Sequence, residues 1–307
     1  MTVESLKQNR SRTRRGAVVK DVISRWTFMV PAIVLLVAVL AYPLLYTLQI
    51  SFSDFDLATF APSSWAGTGN YEDALGDENF LNSLVVTGIY LVLALPLQIV
   101  LGFGIAFLLN AEWRGRGVVR ALFLIPMVVA PVVSGGIWKI MLDPLWGVVT
   151  WFLGLFGVQP IDWFGDAGMA MISIVIIDTW RSVPFVVLIA AAAMLSLPKD
   201  VFEAASVDGA NWWQTLKSIS LPMLAPIIAA TFVVRWLGAV KMFDVVVATT
   251  NGGPGQATNV VNLYIYRQAF QLLEFSTSSA MAIIVLVITM VLTFVFLWGS
   301  KKLEDRL

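Results

Sequence analysis

The chain has 307 residues, of which 58% are hydrophobic and only 13% charged, with 20 Lys and Arg balanced by 20 Asp and Glu. A soluble domain would carry about twice that charged fraction. Cys and His are both absent, which excludes disulfides and thiol nucleophiles and leaves no imidazole for a general base or for most zinc sites.

Residues 1–25 form a basic tail carrying Lys7, Arg10, Arg12, Arg14, Arg15, Lys20 and Arg25. The apolar run after it is longer than the roughly 7–15 residues of a signal-peptide core, so it reads as an uncleaved first span. Runs of about 20 apolar residues recur and predict an all-α membrane protein. Six spans are expected near 26–50, 81–110, 118–142, 168–191, 223–247 and 278–300. They fill a single membrane region over 26–300 and leave a short C-terminus at 301–307. Lys and Arg are distributed unequally between the two sets of connections. The tail, the 111–120 and 192–222 loops and the C-terminus hold fifteen, whereas the connections near 51–80, 143–167 and 248–277 hold only Arg267. The positive-inside rule therefore places both termini in the cytoplasm. The tail enforces that orientation and meets anionic lipid headgroups. Without a fold beside it, it does not read as a nucleic-acid binder. Gly147 to Phe156 reads as an amphipathic helix on the outer surface.

Between the fourth and fifth spans lies a polar connector at 198–222. Lys199 to Val207 predicts a short helix, with Ala204 and Ala205 keeping it thin. Asp208-Gly209 predicts a turn, because Gly permits a positive φ and Asp tolerates turn geometry and offers an N-cap. Asn211 to Ile219 predicts a second short helix, which Leu221-Pro222 ends while redirecting the chain into the fifth span. Taken as composition alone, this is a connector packing on its own protein. Its fixed positions are Glu203-Ala204-Ala205, then three residues, Gly209, nine residues and Ile219-Ser220-Leu221-Pro222.

That pattern resembles the E-A-A-x3-G-x9-I-x-L-P loop of ATP-binding-cassette importer permeases. Trp180 to Phe185 is similar to the W-x-x-x-P-[FY] run of the carbohydrate-type members. Phe243-Asp244, Thr250-Asn251-Gly252-Gly253-Pro254, Asp143-Pro144 and Trp163-Phe164 also resemble that group, in its maltose-permease-like or glycerol-phosphate-permease-like subunit. The resemblance implies a six-helix type I importer fold and a coupling loop that docks on a cytoplasmic ATPase. It further implies a second homologous permease, two ATPase copies and an extracytoplasmic solute-binding protein. Glu203, Ala204, Ala205, Asp208, Gly209, Ile219, Leu221 and Pro222 are the implied coupling residues. No cofactor is expected on this chain, which has no G-x-x-x-x-G-K-[ST] loop. ATP and Mg belong to the implied ATPase, and the chain itself is not expected to be an enzyme.

Ionisable side chains within spans cost about 2.5–3.5 kcal/mol each on insertion scales. Asp178 and Arg181 lie three apart in the fourth span, Arg235 lies mid-fifth span, and Lys241 and Asp244 lie further out on it. One reading is two intrahelical ion pairs, Asp178–Arg181 and Lys241–Asp244, with Arg235 bonded to backbone or to a partner subunit. The other is a polar cavity in which these charges bond solute hydroxyls while Trp138, Trp180 or Trp236 stacks on a sugar face. Asp178 is then the best single solute contact, and Arg181, a departure from the family pattern, could with Arg235 read an anionic solute. An ion-coupled secondary transporter is the alternative; it calls for an internal repeat, and 26–142 shows no convincing similarity to 168–300. A membrane enzyme is weakened further by the missing Cys and His.

Overall fold

A computed structural model describes residues 29–110 and 114–304. The basic tail and Arg306 lie outside the described residues, so the tail's expected role is untested. Helix α1, Met29–Ser51, is followed by a hairpin of strands β1 (Ser53–Asp56) and β2 (Ala61–Trp65) and by α2, Gly69–Gly76. Next come α3 (Glu78–Asn110), α4 (Arg116–Val128), α5 (Pro131–Met141), the short α6 (Val148–Gly154) and α7 (Ala167–Leu195). The connector holds α8 (Lys199–Val207) and α9 (Trp212–Thr215), and α10 spans Leu221–Ala239. Helices α11 (Asp244–Thr249), α12 (Val261–Phe270) and α13 (Phe275–Glu304) complete the order.

Among the described residues, five helices are long and apolar enough to cross a membrane, six if α4 and α5 count as one broken span. The expected third span is thus not straight: α4 and α5 meet at 103°. Pro131 begins α5 and excludes the α region for the residue before it, and Ala130 accordingly sits at ψ 139°. The expected fifth span also breaks. Helix α10 stops at Ala239, and Phe243, at φ −152° and ψ −59°, leads into α11. The carbonyl of Val240 freed by this break accepts a 2.6 Å hydrogen bond from Asn262 Nδ2 of α12, which removes much of the cost of ending a helix there.

Helices α3 and α7 form the centre. Gly102 lets them approach so closely that a Cβ there would lie 2.3 Å from the Val186 side chain, a contact that trades size for dispersion in a bilayer that offers no hydrophobic drive. Around it pack Phe103, Ala106, Val183, Val187 and Ala190. A second cluster joins Tyr90, Leu95, Ile174 and Ile177 to Trp236, Val245 and Leu263 of α10, α11 and α12. Helix α1 is different, because none of its apolar window is buried. It is tied at its C-terminal end, where Asn70 Nδ2 donates to the carbonyls of Ser51 and Ser53 at 3.1 Å and Ser51 Oγ meets Tyr71 OH at 2.7 Å.

The connection between α1 and α3 is not simply a loop. Its hairpin pairs Ser53 with Trp65 and Asp56 with Ala61, and Asp56 closes the turn by accepting from Ala58 N and Thr59 Oγ1 at 2.9 Å. Those donors hold the Asp56 carboxyl below its usual range. At the same end, Gln256 Nε2 donates to Asn79 Oδ1 at 2.6 Å and Tyr264 donates to Asp77, so the 250–260 loop is fastened to the start of α3. Burial, then the bond to Asp77, pushes the Tyr264 phenol up to about 12.

Candidate functional site: an exposed connector and a buried polar hub

At the connector, α8 forms over the expected residues and leaves Glu203, Ala204 and Val207 exposed while Ala205 packs inward. Asp208 ends this helix as its C-cap, and Gly209 takes φ +75°, a left-handed value that suits glycine. The N-cap of the next helix is not Asp208 but Asn211. Its side chain accepts from Gln214 N at 3.0 Å while Gln214 Oε1 accepts from Asn211 N at 2.8 Å, a complete capping box.

Leu221-Pro222 does not end that helix. Residues Leu216–Ser220 form a π turn, with Leu221 N bonded to Leu216 O, and the helix runs without interruption from Trp212 to Ala239. Pro222 lacks the N–H that an α-helix would direct at Ser218, so the ladder widens by one residue rather than breaking. Ile219 is half-buried within the π turn, Leu221 is exposed and Pro222 half-buried. Beneath α8 and α9 lies a cleft of about 760 Å³, whose lining includes Asn110, Arg116, Phe202, Glu203, Trp212 and Leu216. Trp212 and Trp213 pack edge to face beside it and remain exposed.

The second site joins the three central helices. Asp178 of α7, 1% exposed, accepts five hydrogen bonds from its own chain. Tyr90 OH (2.6 Å) and Gln98 Nε2 (2.8 Å) come from α3, Arg181 Nη2 (2.8 Å) and Ser182 Oγ (3.2 Å) from α7, and Arg235 Nη2 (3.3 Å) from α10. Gln98 Oε1 in turn accepts from Arg235 Nε at 3.0 Å and Nη2 at 2.8 Å. Both carboxylate oxygens are thus used. These five donors give the expected solute contact, Asp178, a structural role in joining α3, α7 and α10.

Of the two expected intrahelical pairs, Asp178–Arg181 forms. Lys241–Asp244 is not an ion pair among the described residues, because the break after α10 separates them: Lys241 is exposed and Asp244 starts α11. Arg235 bonds the Gln98 and Asp178 side chains rather than backbone. Trp236 is also unavailable for stacking. It is buried against Phe296, with Nε1 donating to Thr293 Oγ1 at 3.1 Å. Trp138 and Trp180 do meet, edge to face at 5.7 Å and half-buried. Tyr90 and Gln98 were not singled out from sequence. The available signal was an amide in an apolar span, eight residues and so about two turns from a tyrosine.

Residues 98–307 match the family described as the binding-protein-dependent transport system inner membrane component. The trehalose/maltose transport system permease protein MalF of Thermococcus litoralis is 32% identical over 280 residues, 91% of this chain and 94% of that protein. The sn-glycerol-3-phosphate transport system permease protein UgpA of Agrobacterium fabrum is 31% identical over 292 residues, 94% of this chain and 99% of that protein. A chain of a bacterial ABC transporter involved in the import of the acidic polysaccharide alginate superposes with a TM-score of 0.83 at 21% identity, covering 94% of this chain and 99% of that one. With the six-helix type I importer permease fold now in place around the connector and hub, the chain belongs to the inner membrane components of binding-protein-dependent ABC transport systems.

Proposed function

We propose that this chain is one transmembrane subunit of an ATP-driven importer for a sugar or related polyhydroxylated solute. It pairs with a second permease, sits on two cytoplasmic ATPase subunits that bind ATP and Mg, and receives its solute from an extracytoplasmic binding protein. The names of its relatives support the solute class, since they carry a disaccharide and a phosphorylated polyol. The excess of Lys and Arg on the termini and on the 111–120 and 192–222 loops supports a cytoplasmic connector. The unburied α1 supports a neighbouring membrane subunit, as none of its apolar window is covered by the described residues.

One observation carries the coupling assignment: the helix that begins at Trp212 beside the exposed face of α8 continues unbroken to Arg235 in the midplane hub. Glu203 and the neighbouring apolar residues meet the ATPase, and Gly209 sets the angle between α8 and α9. The π turn at Leu216–Ser220 and Pro222 passes displacement into α10. The hub makes α3 and α7 follow α10, and the break between α4 and α5 is where the outer half can bend. Trp138, Trp180 and Arg181 border the solute path, Lys241 and Asp244 lie at its outer level, and Asp178, Arg235 and Trp236 hold its wall.

The test is Glu203→Ala in the assembled importer. The variant should insert and assemble normally and keep basal ATP hydrolysis, yet lose stimulation by solute-loaded binding protein. Normal stimulation in that variant would refute the docking role.

A further inference from the structure

The hub contains one carboxylate and two guanidinium groups. Asp178 is paired with both Arg181 and Arg235, and the other hub members, Gln98, Tyr90 and Ser182, are neutral, so the cluster keeps one net positive charge. The two arginines are not equivalent. Arg235 is buried and engages Gln98 and Asp178 through Nε and Nη2. Arg181 gives only Nη2 to Asp178, its buried Nε has no partner, and its side chain is 24% exposed. The excess charge is therefore presented at Arg181.

The direction of that exposure matters. Helix α7 is the central helix, and the strip that α7 leaves uncovered includes Ile172, Trp180, Arg181, Phe185 and Leu188. A guanidinium near the middle of a span is not left facing hydrocarbon; such groups face a bundle interior or a water-filled cavity. Trp180 and its edge-on neighbour Trp138 stand beside it, an amphipathic pair suited to a sugar ring. Guanidinium also matches planar and tetrahedral oxyanions through paired N–H donors.

We propose that Arg181 is a specificity-determining residue, and that the solute is a saccharide or polyol bearing an oxyanion: a carboxylate, phosphate or sulfonate. This rests on the importer reading above. Asp178 holds the guanidinium through Nη2 and leaves Nη1 for the solute, while Arg235 keeps the local field positive without touching it.

The experiment uses proteoliposomes containing the whole importer, with ATP inside and the binding protein outside. Labelled probes are supplied in matched pairs: cellobiose and cellobiouronate, trehalose and trehalose 6-phosphate, and methyl glucoside and its 6-sulfonate. At least one anionic member should enter about tenfold faster than its neutral partner, the scale of one charge-assisted hydrogen bond. Arg181→Gln should remove that preference, with the anion affinity of the binding protein unchanged. Arg181→Lys, which keeps the charge and the Asp178 pair, should retain part of it and serves as the readout if Arg181→Gln does not assemble. Uptake favouring neutral members, no uptake of any anion, or an equal loss for both members in the variants would overturn the proposal. Uptake that continues without ATP would instead overturn the importer reading, leaving the two failures distinguishable.

Discussion

The buried hub and the exposed connector treat their polar groups in opposite ways. In the hub, Asp178 is sealed from solvent and bonded by residues 88, 80 and 57 positions away in the chain. In the connector, Glu203, Asp208 and Lys217 are exposed, and the hydrogen bonds are local ones that shape turns and caps. The first arrangement makes three helices one body. The second leaves a defined surface whose polar and aromatic groups are free for another molecule. The proposed importer needs both: a handle that stays accessible and a wall that moves without coming apart.

The comparison breaks most visibly at Asp178. Asp178→Ala leaves two guanidinium groups in the membrane without their counter-charge, and removing one partner of a buried pair costs about 3–5 kcal/mol. Folding yield and thermal stability in detergent should fall sharply, with transport lost as a consequence. An Asp178→Ala protein of normal stability that fails only in transport would return Asp178 to the role of solute contact.

A smaller effect is expected at Asn211. Asn211→Ala removes the cap on Gln214 N, a loss of about 0.5–2 kcal/mol, and it should stay local to α9. Hydrogen exchange should quicken at Gln214 and Thr215, with no change at Asp178 or Arg235. Global destabilisation by this substitution would mean that connector and hub are not separable in the way their hydrogen bonds suggest.

Much of the connector was legible because its logic is local. The Gly209 turn, the α8 helix and the exposed Glu203 all follow from short-range spacing. The misreadings there concern how a proline is accommodated: Pro222 widens one turn into a π turn instead of ending the helix, and Asn211 with Gln214 takes the cap expected of Asp208. Pro131 carried the opposite surprise, since hydropathy alone makes 118–142 a single span while the constraint on Ala130 turns it by 103°. The hub was legible only in part. Asp178 and Arg181, three apart, announced their pair, but Tyr90, Gln98 and Arg235 reach them through packing that no local pattern encodes. The β1–β2 hairpin was missed because a short aromatic–acidic segment between spans has no hydrophobic run to mark it, although Asp56 and Thr59 formed a turn signal.

The central claim is that the helix from the connector to the hub moves as one rod while the outer half bends beside it. The chain contains no Cys, so spin labels can be placed at will. One pair, at Ser218→Cys and Leu237→Cys, brackets the rod at about 28 Å by helical rise; a second pair, at Ser218→Cys and Val133→Cys, crosses the break between α4 and α5. Pulsed electron spin resonance on the assembled importer, before and after trapping with ATP, should leave the first distance unchanged and shift the second. A shortened or broadened first distance with a constant second one would contradict the account.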